Sequence, residues 1–181
     1  MEREELEALV EEARRSDPDA WEVIYRHSYA RLFAYARRRL PNSEQAVDAV
    51  GETFARAYED IHRFRWRGAG LTGWLYGILR NVVFEMARSG RRESPSLELD
   101  HPETGTDASD GVIAAEEAKA VRDAFASLPS EDQELLELRV IGGLDSKAVG
   151  AVVGKRDGAV RMAQSRALQK LRKLMEEQGH E

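Results

Sequence analysis

Apolar positions in this chain recur every three or four residues, the period of an amphipathic helix. Over 18–40 they are Trp21, Ile24, Tyr25, Tyr29, Leu32, Phe33, Ala36 and Leu40. Over 43–61 they are Ala46, Val47, Val50, Phe54, Ala57, Tyr58 and Ile61, after a Pro41-Asn42-Ser43 turn that can cap the helix. Leu75, Ile78, Leu79, Val82 and Met86 mark a third helix around 72–87. No convincing run alternates apolar with polar residues, so strands are not expected. The spacing predicts an all-α protein.

Residues 93–111, ESPSLELDHPETGTDASDG, break the period. Rich in Ser, Pro, Thr, Gly and acid, with Leu97 and Leu99 the only large apolar residues, the segment cannot bury enough surface to offset chain entropy. It reads as a flexible acidic linker between two small helical domains, residues 1–92 and 112–181. The second domain is sharply punctuated. Leu128-Pro129 ends one segment, and Ser130-Glu131-Asp132-Gln133 reads as a capping box opening the next helix. Gly142-Gly143 stops that helix, and Asp145 can cap a short one holding Val149, Val152 and Val153. Gly154 supplies the left-handed position after it. Asp157 can cap a last helix with the buried stripe Val160, Gln164, Ala167 and Leu171. Two helices joined by a short Gly-containing turn are the signature of a helix-turn-helix.

The chain has 181 residues and no cysteine, which excludes disulfides, thiolate catalysis and Cys-ligated zinc. His27, His62, His101 and His180 are scattered, without metal-ligand or nucleophile spacing, and no glycine-rich phosphate loop precedes a helix. Neither an enzyme nor a cofactor or metal site is expected. No apolar run approaches the roughly 20 residues of a membrane span. The acidic, amphipathic start MEREELEALVEEARR is unlike a signal peptide, so a cytoplasmic location is expected.

Net charge is -6, but the charges are segregated. Residues 1–22 hold nine acidic and three basic side chains, 26–40 five arginines and no acid, and 42–62 five acids against Arg56. Residues 63–92 carry seven arginines against Glu85, 93–118 eight acids and no Lys or Arg, and 155–173 seven basic residues against Asp157. Blocks of this kind mark interaction surfaces.

Three segments carry candidate chemistry. On the last helix, 100° per residue places Ala159, Met162, Ser165, Arg166 and Gln169 opposite the buried stripe, with Arg161 on the flank and Lys155 and Arg156 at the N-terminal end. That is the layout of a recognition helix in a major groove. In 63–92, Arg63, Arg65, Arg67, Arg88, Arg91 and Arg92 interleave with Phe64, Trp66, Trp74 and Tyr76, a combination suited to single-stranded nucleic acid. The loop 63–72 is too polar and glycine-rich to be core, whereas Trp74 alone reads more readily as core than as a base contact. Over 46–58, Asp48 and Glu52 share one helix face with Gln45 and Thr53 nearby, and by themselves mark only a solvated surface.

Together these segments resemble the extracytoplasmic-function (ECF) group of bacterial sigma factors, over nearly the whole chain. DPDAWEVIYRHSYARLFAYARRRL is similar to the opening helix of the first conserved sigma domain, AVDAVGETFARAY to its polymerase-binding helix, and WLYGILRNVVFEMAR to the helix that melts and reads the minus-ten element. The stretch from LPSEDQELLELRV to LQKLRKL resembles the helix-turn-helix that reads the minus thirty-five element. The resemblance implies that Asp48, Glu52 and Thr53 bind core RNA polymerase. It implies that Arg63, Arg65, Arg67, Trp74, Asn81 and Arg88 face melted minus-ten DNA, with 63–72 capturing a flipped base. Lys155, Arg156, Arg161, Met162, Ser165 and Arg166 would contact duplex minus thirty-five DNA. Gly51, Ala163 and Gln164 depart from the residues usual in this group. The implied partners are core polymerase, promoter DNA and an anti-sigma protein, with no small-molecule substrate and no membrane insertion. An acidic chain with basic islands is then expected to bind promoters usefully only when polymerase holds both domains. An ordinary dimeric helix-turn-helix regulator is the alternative; it accounts for 128–174 but leaves the Arg-aromatic loop and the acidic linker unexplained.

Overall fold

Side-chain caps open three of the described helices. A computed structural model describes residues 3–66, 68–93 and 112–178; Arg67 and residues 94–111, on which a DNA contact and most of the linker were expected, lie outside them. Among the described residues there are eight α-helices and no strand: α1 (Arg3–Arg14), α2 (Pro18–Arg37), α3 (Ser43–Asp60), α4 (Gly70–Glu93), α5 (Val112–Ala126), α6 (Ser130–Val140), α7 (Ser146–Val153) and α8 (Asp157–Gln178). A 3-10 turn, Ile61–Arg63, follows α3. Asp17 caps α2 by accepting from the Ala20 amide at 2.9 Å, and Asn42 caps α3 through the Gln45 amide at 2.8 Å. Asp145 caps α7 through the Ala148 amide at 2.7 Å.

Two expected caps are corrected. Pro129 already occupies the N-cap of α6 in extended conformation, so Ser130 lies inside the helix and makes no cap. Gln133 turns back instead, donating to the Leu128 and Ala126 carbonyls at 2.8 and 3.0 Å and satisfying the end of α5. Asp157 is the first residue of α8, whose opening bond runs from the Val160 amide to the Arg156 carbonyl. Its carboxylate accepts from Ser146 and pairs with Arg161 instead.

Helices α1–α4 enclose Val10, Ile24, Leu32, Leu40, Val50, Leu75, Leu79 and Val82; α5–α8 enclose Leu128, Leu135, Leu138, Val149, Val160 and Ala167. The two apolar cores run into one. Helix α4 meets α7 at Gly73, where an added Cβ would lie in ordinary contact with Ala148 at 3.6 Å and Leu144 at 3.9 Å but would collide with Ala69, just before its own helix, at 2.6 Å. Beside that crossing lies a polar seam. Glu134 of α6 accepts from the Tyr35 hydroxyl at 2.7 Å and from Arg80 Nε at 2.9 Å. Glu137, only 4% exposed, receives Arg38 Nη1 on Oε1 at 3.3 Å, while Arg39 pairs with its Oε2 by charge, outside hydrogen-bond alignment. Arg39 also stacks over the Tyr35 ring, 3.7 Å from its centroid. Burial pushes the Tyr35 phenol far up, and that of Tyr76 up to about 12, so both remain protonated donors.

The helix-turn-helix depends on two glycines. Gly154, at φ 72°, takes the left-handed position that ends α7. A Cβ at Gly150 would collide with the Lys155 carbonyl oxygen, so only glycine lets the turn fold back this closely. Gly150→Ala is expected to destabilise the chain by about 1–3 kcal/mol in urea unfolding. Breaking the polar seam with Glu134→Gln and Glu137→Gln together is expected to weaken the contact by about 1–3 kcal/mol, since it strips half-buried arginines of their partners. Small-angle scattering should then give a larger radius of gyration at unchanged helical circular dichroism.

Candidate functional site

On α3, Asp48 and Glu52 are exposed as expected. Glu52 pairs with Arg56 at 2.7 Å, and Arg56 also bridges to Glu85 of α4 at 2.7 Å. The Arg56 guanidinium holds the Glu85 carboxyl below its usual range. Thr53 corrects the sequence reading: it is fully buried, its hydroxyl donating to the Ala49 carbonyl at 2.7 Å, because it lies on the inner face with Ala46, Ala49, Val50 and Ala57. Val47 and Tyr58, read as part of the apolar stripe, are instead 47% and 50% exposed and border the acidic face. Gly51 sits on this same outer surface with open space around it.

Between α4 and α7 lies a cleft of about 580 Å³. Arg63, Arg65, Trp74 and Asn81 line it on one side, with Ala151 and Val152 of α7 on the other. Arg63 is exposed and pairs with Asp60 at 2.8 Å. Arg65 folds back, Nη1 donating to the carbonyls of His62 at 2.8 Å and Phe64 at 2.9 Å. The loop is not free of core: Phe64 and Leu71 are buried. Phe64 lies 5.1 Å, centroid to centroid, from both Trp66 and Trp74. Trp74 is braced by this core ring and lines the cleft. Asn81 is exposed at the cleft edge, and Arg88 is exposed two turns further along α4. The floor is therefore aromatic and the rim cationic, the surface that unstacked bases and a phosphate backbone require.

Helix α8 exposes Arg161, Met162, Ser165 and Arg166, with Lys155 and Arg156 exposed just before it. The stripe Val160, Gln164, Ala167 and Leu171 faces inward, Gln164 accepting from Arg139 Nε at 2.9 Å. Met162 is 64% exposed. Four basic side chains on or beside this helix are engaged by acids: Lys155 with Glu131 at 2.8 Å, Lys170 with Asp132 at 2.6 Å, Lys173 with Glu177 at 3.5 Å, and Arg161 with Asp157. Asp157 is held below the usual carboxylate range, first by the Ser146 hydroxyl and then by Arg161. Among the described residues Arg156 and Arg166 make no ion pair. The roles of Glu131 and Asp132 were not read from sequence, where both were absorbed into a capping box.

Comparisons with known proteins agree with this layout. The model of Sigma-70 region 2 matches residues 24–93, and that of Sigma-70, region 4 matches residues 118–171. The chain is 32% identical to ECF RNA polymerase sigma factor SigD of Mycobacterium tuberculosis, over 95% of this chain and 84% of that one. It is 31% identical to ECF RNA polymerase sigma factor BldN of Streptomyces coelicolor, over 92% of this chain but 64% of the relative's length. Among solved structures, a sigma factor RpoE from Bartonella quintana superposes with a TM-score of 0.69 at 21% identity, covering 86% of this chain and 96% of that one. CnrH superposes with a TM-score of 0.68 at 21% identity, covering 93% of this chain and 96% of that one. Two region matches in sequential order and a relative this similar along most of both lengths show the family: the chain belongs to the ECF RNA polymerase sigma factors.

Proposed function

We propose that this chain binds core RNA polymerase, carries it to promoters and helps open them, while polymerase supplies the catalysis. The observation that carries the reading is the coexistence of an Arg-rimmed aromatic cleft on α4 with a helix-turn-helix that exposes Arg156, Ser165 and Arg166. One surface suits unpaired bases and the other suits a duplex groove, and a transcription initiator needs both. Extruding a base costs a few kcal/mol, and stacking returns about 1–3 kcal/mol per base, so a preformed aromatic floor decides whether melting is supported. The acidic face of Asp48 and Glu52, bordered by Val47 and Tyr58, is the proposed polymerase contact; Thr53 would act from beneath by packing α3 rather than by touching polymerase.

The minus-ten and minus thirty-five elements lie about 25 base pairs apart, roughly 85 Å at about 3.4 Å per base pair. A chain with α7 seated against α4 does not span that distance. Polymerase would therefore part the two halves on binding and lift Ala151 and Val152 off the cleft. A protein inhibitor of the anti-sigma kind is proposed as a further partner: the Bartonella quintana relative in fold was solved with the anti-sigma factor NepR.

Run-off transcription with bacterial core polymerase on a pool of host promoter fragments tests the reading. Specific transcripts are expected, and Glu52→Arg is expected to lower them at least tenfold at unchanged thermal melting, with Asp48→Arg acting the same way. No transcript, together with a shift of a palindromic duplex by the chain alone, would sink the proposal in favour of a dimeric regulator. Within the holoenzyme, Arg166→Ala is expected to weaken binding to a duplex minus thirty-five fragment about tenfold, measured by mobility shift at fixed salt.

A further inference from the structure

The match to region 2 begins at residue 24, yet the turn that opens the cleft is held from outside it. Arg14, the last residue of α1, donates from Nη2 to the Phe64 carbonyl at 2.7 Å and from Nε to the Ile61 carbonyl at 3.5 Å. Its remaining nitrogen, Nη1, pairs with Glu11. The side chain is 25% exposed. Ile61 opens the 3-10 turn and Phe64 follows it; the Ile61 carbonyl already accepts from the Phe64 amide at 3.1 Å, and carbonyls at such a C-terminal end still attract a cation to their second lone pair. A planar guanidinium reaches two carbonyls at once, which an ammonium does not do with fixed geometry.

The arginine is itself well anchored. Val10 and Ala13 of α1 are buried, and Trp21 Nε1 donates to the Ala13 carbonyl at 3.1 Å, one residue before Arg14. Beyond the turn, the pinned residue is Phe64, whose ring supports Trp66 and Trp74 and whose carbonyl also receives Arg65. One side chain from α1 thus meets the backbone atom on which the aromatic floor and a cationic rim residue converge.

We infer that Arg14 is a positioning residue for capture of the melted strand: by fixing the Phe64 carbonyl it keeps the Phe64–Trp66–Trp74 cluster and Arg65 in place before DNA arrives. It touches no nucleic acid. Its contribution is preorganisation, which spares the strand the ordering of a loose loop. The inference rests on the proposed function, since it takes the cleft as the site of the melted strand.

The experiment uses the full chain as Arg14→Met and Arg14→Lys, assembled with core polymerase. Hydrogen exchange reports the loop, competition binding reports polymerase affinity, and two DNA probes report the rest: a duplex minus thirty-five fragment and single-stranded non-template oligonucleotides from the promoters that the unmodified holoenzyme transcribes. Arg14→Met should speed amide exchange over 61–66 and weaken oligonucleotide binding about tenfold. Polymerase affinity and duplex binding should stay unchanged, and Arg14→Lys should recover part of the loss. Faster exchange with unaltered oligonucleotide binding would overturn the inference, as would a uniform loss of polymerase, duplex and oligonucleotide binding, which marks a merely structural brace. An unmodified chain that supports no transcription would remove the functional reading, and this inference with it.

Discussion

A carboxylate withdrawn from water must be neutralised where it lies, and Glu137 is neutralised by the other half of the chain. Helix α6 carries it, and Arg38 and Arg39 at the end of α2 hold it. Neither side is comfortable alone: the glutamate would sit against an apolar helix, and the arginines would follow one another without an acid between 26 and 40. The arrangement of α1–α4 against α5–α8 is thus set by charge as much as by shape. The apolar crossing at Gly73, Leu144 and Ala148 supplies area, while the Glu134–Tyr35–Arg80 and Glu137–Arg38–Arg39 contacts supply register. Such seams add specificity more than net stability, because desolvation offsets much of the attraction.

Most helices could be read from sequence because the period, the caps and the glycines agreed. Asn42, Asp145 and Gly154 do what their positions in the string imply. Reading failed where two chemistries competed for one residue. Ser130 and Gln133 match a capping box, but a proline at position 129 starts the helix one residue early and releases Gln133 to the preceding carbonyls. Thr53 is polar and adjacent to Glu52, yet its hydroxyl can satisfy itself on Ala49 within the same helix, so the core accepts it. Val47 and Tyr58 are apolar and in phase, yet the helix turns them outward, because period alone does not say how wide the buried face is.

The cleft was half legible. Alternating arginine and aromatic residues announced it, but not that Phe64 would leave the surface and become the pivot for two tryptophans. Nor does any local signal connect Arg14 with a carbonyl fifty positions away. Contacts of that separation depend on the path of the chain through α2 and α3, and periodicity carries no information about them.

The acids around the reading helix have a consequence for ions. A lysine that settles on a DNA phosphate normally frees a condensed cation, and that release drives sequence-blind attraction to nucleic acid. Lys155, Arg161 and Lys170 arrive already matched to Glu131, Asp157 and Asp132. On the proposed reading, moving one of them to a phosphate would first break its ion pair, and the carboxylate left behind would then repel the phosphates. The broken pair would offset part of the gain from counterion release, so these positions would favour bulk DNA less than unpaired cations do. On the proposed reading, Arg156 and Arg166 would keep the full benefit, and sequence-blind attraction to duplex would fall mainly to these two.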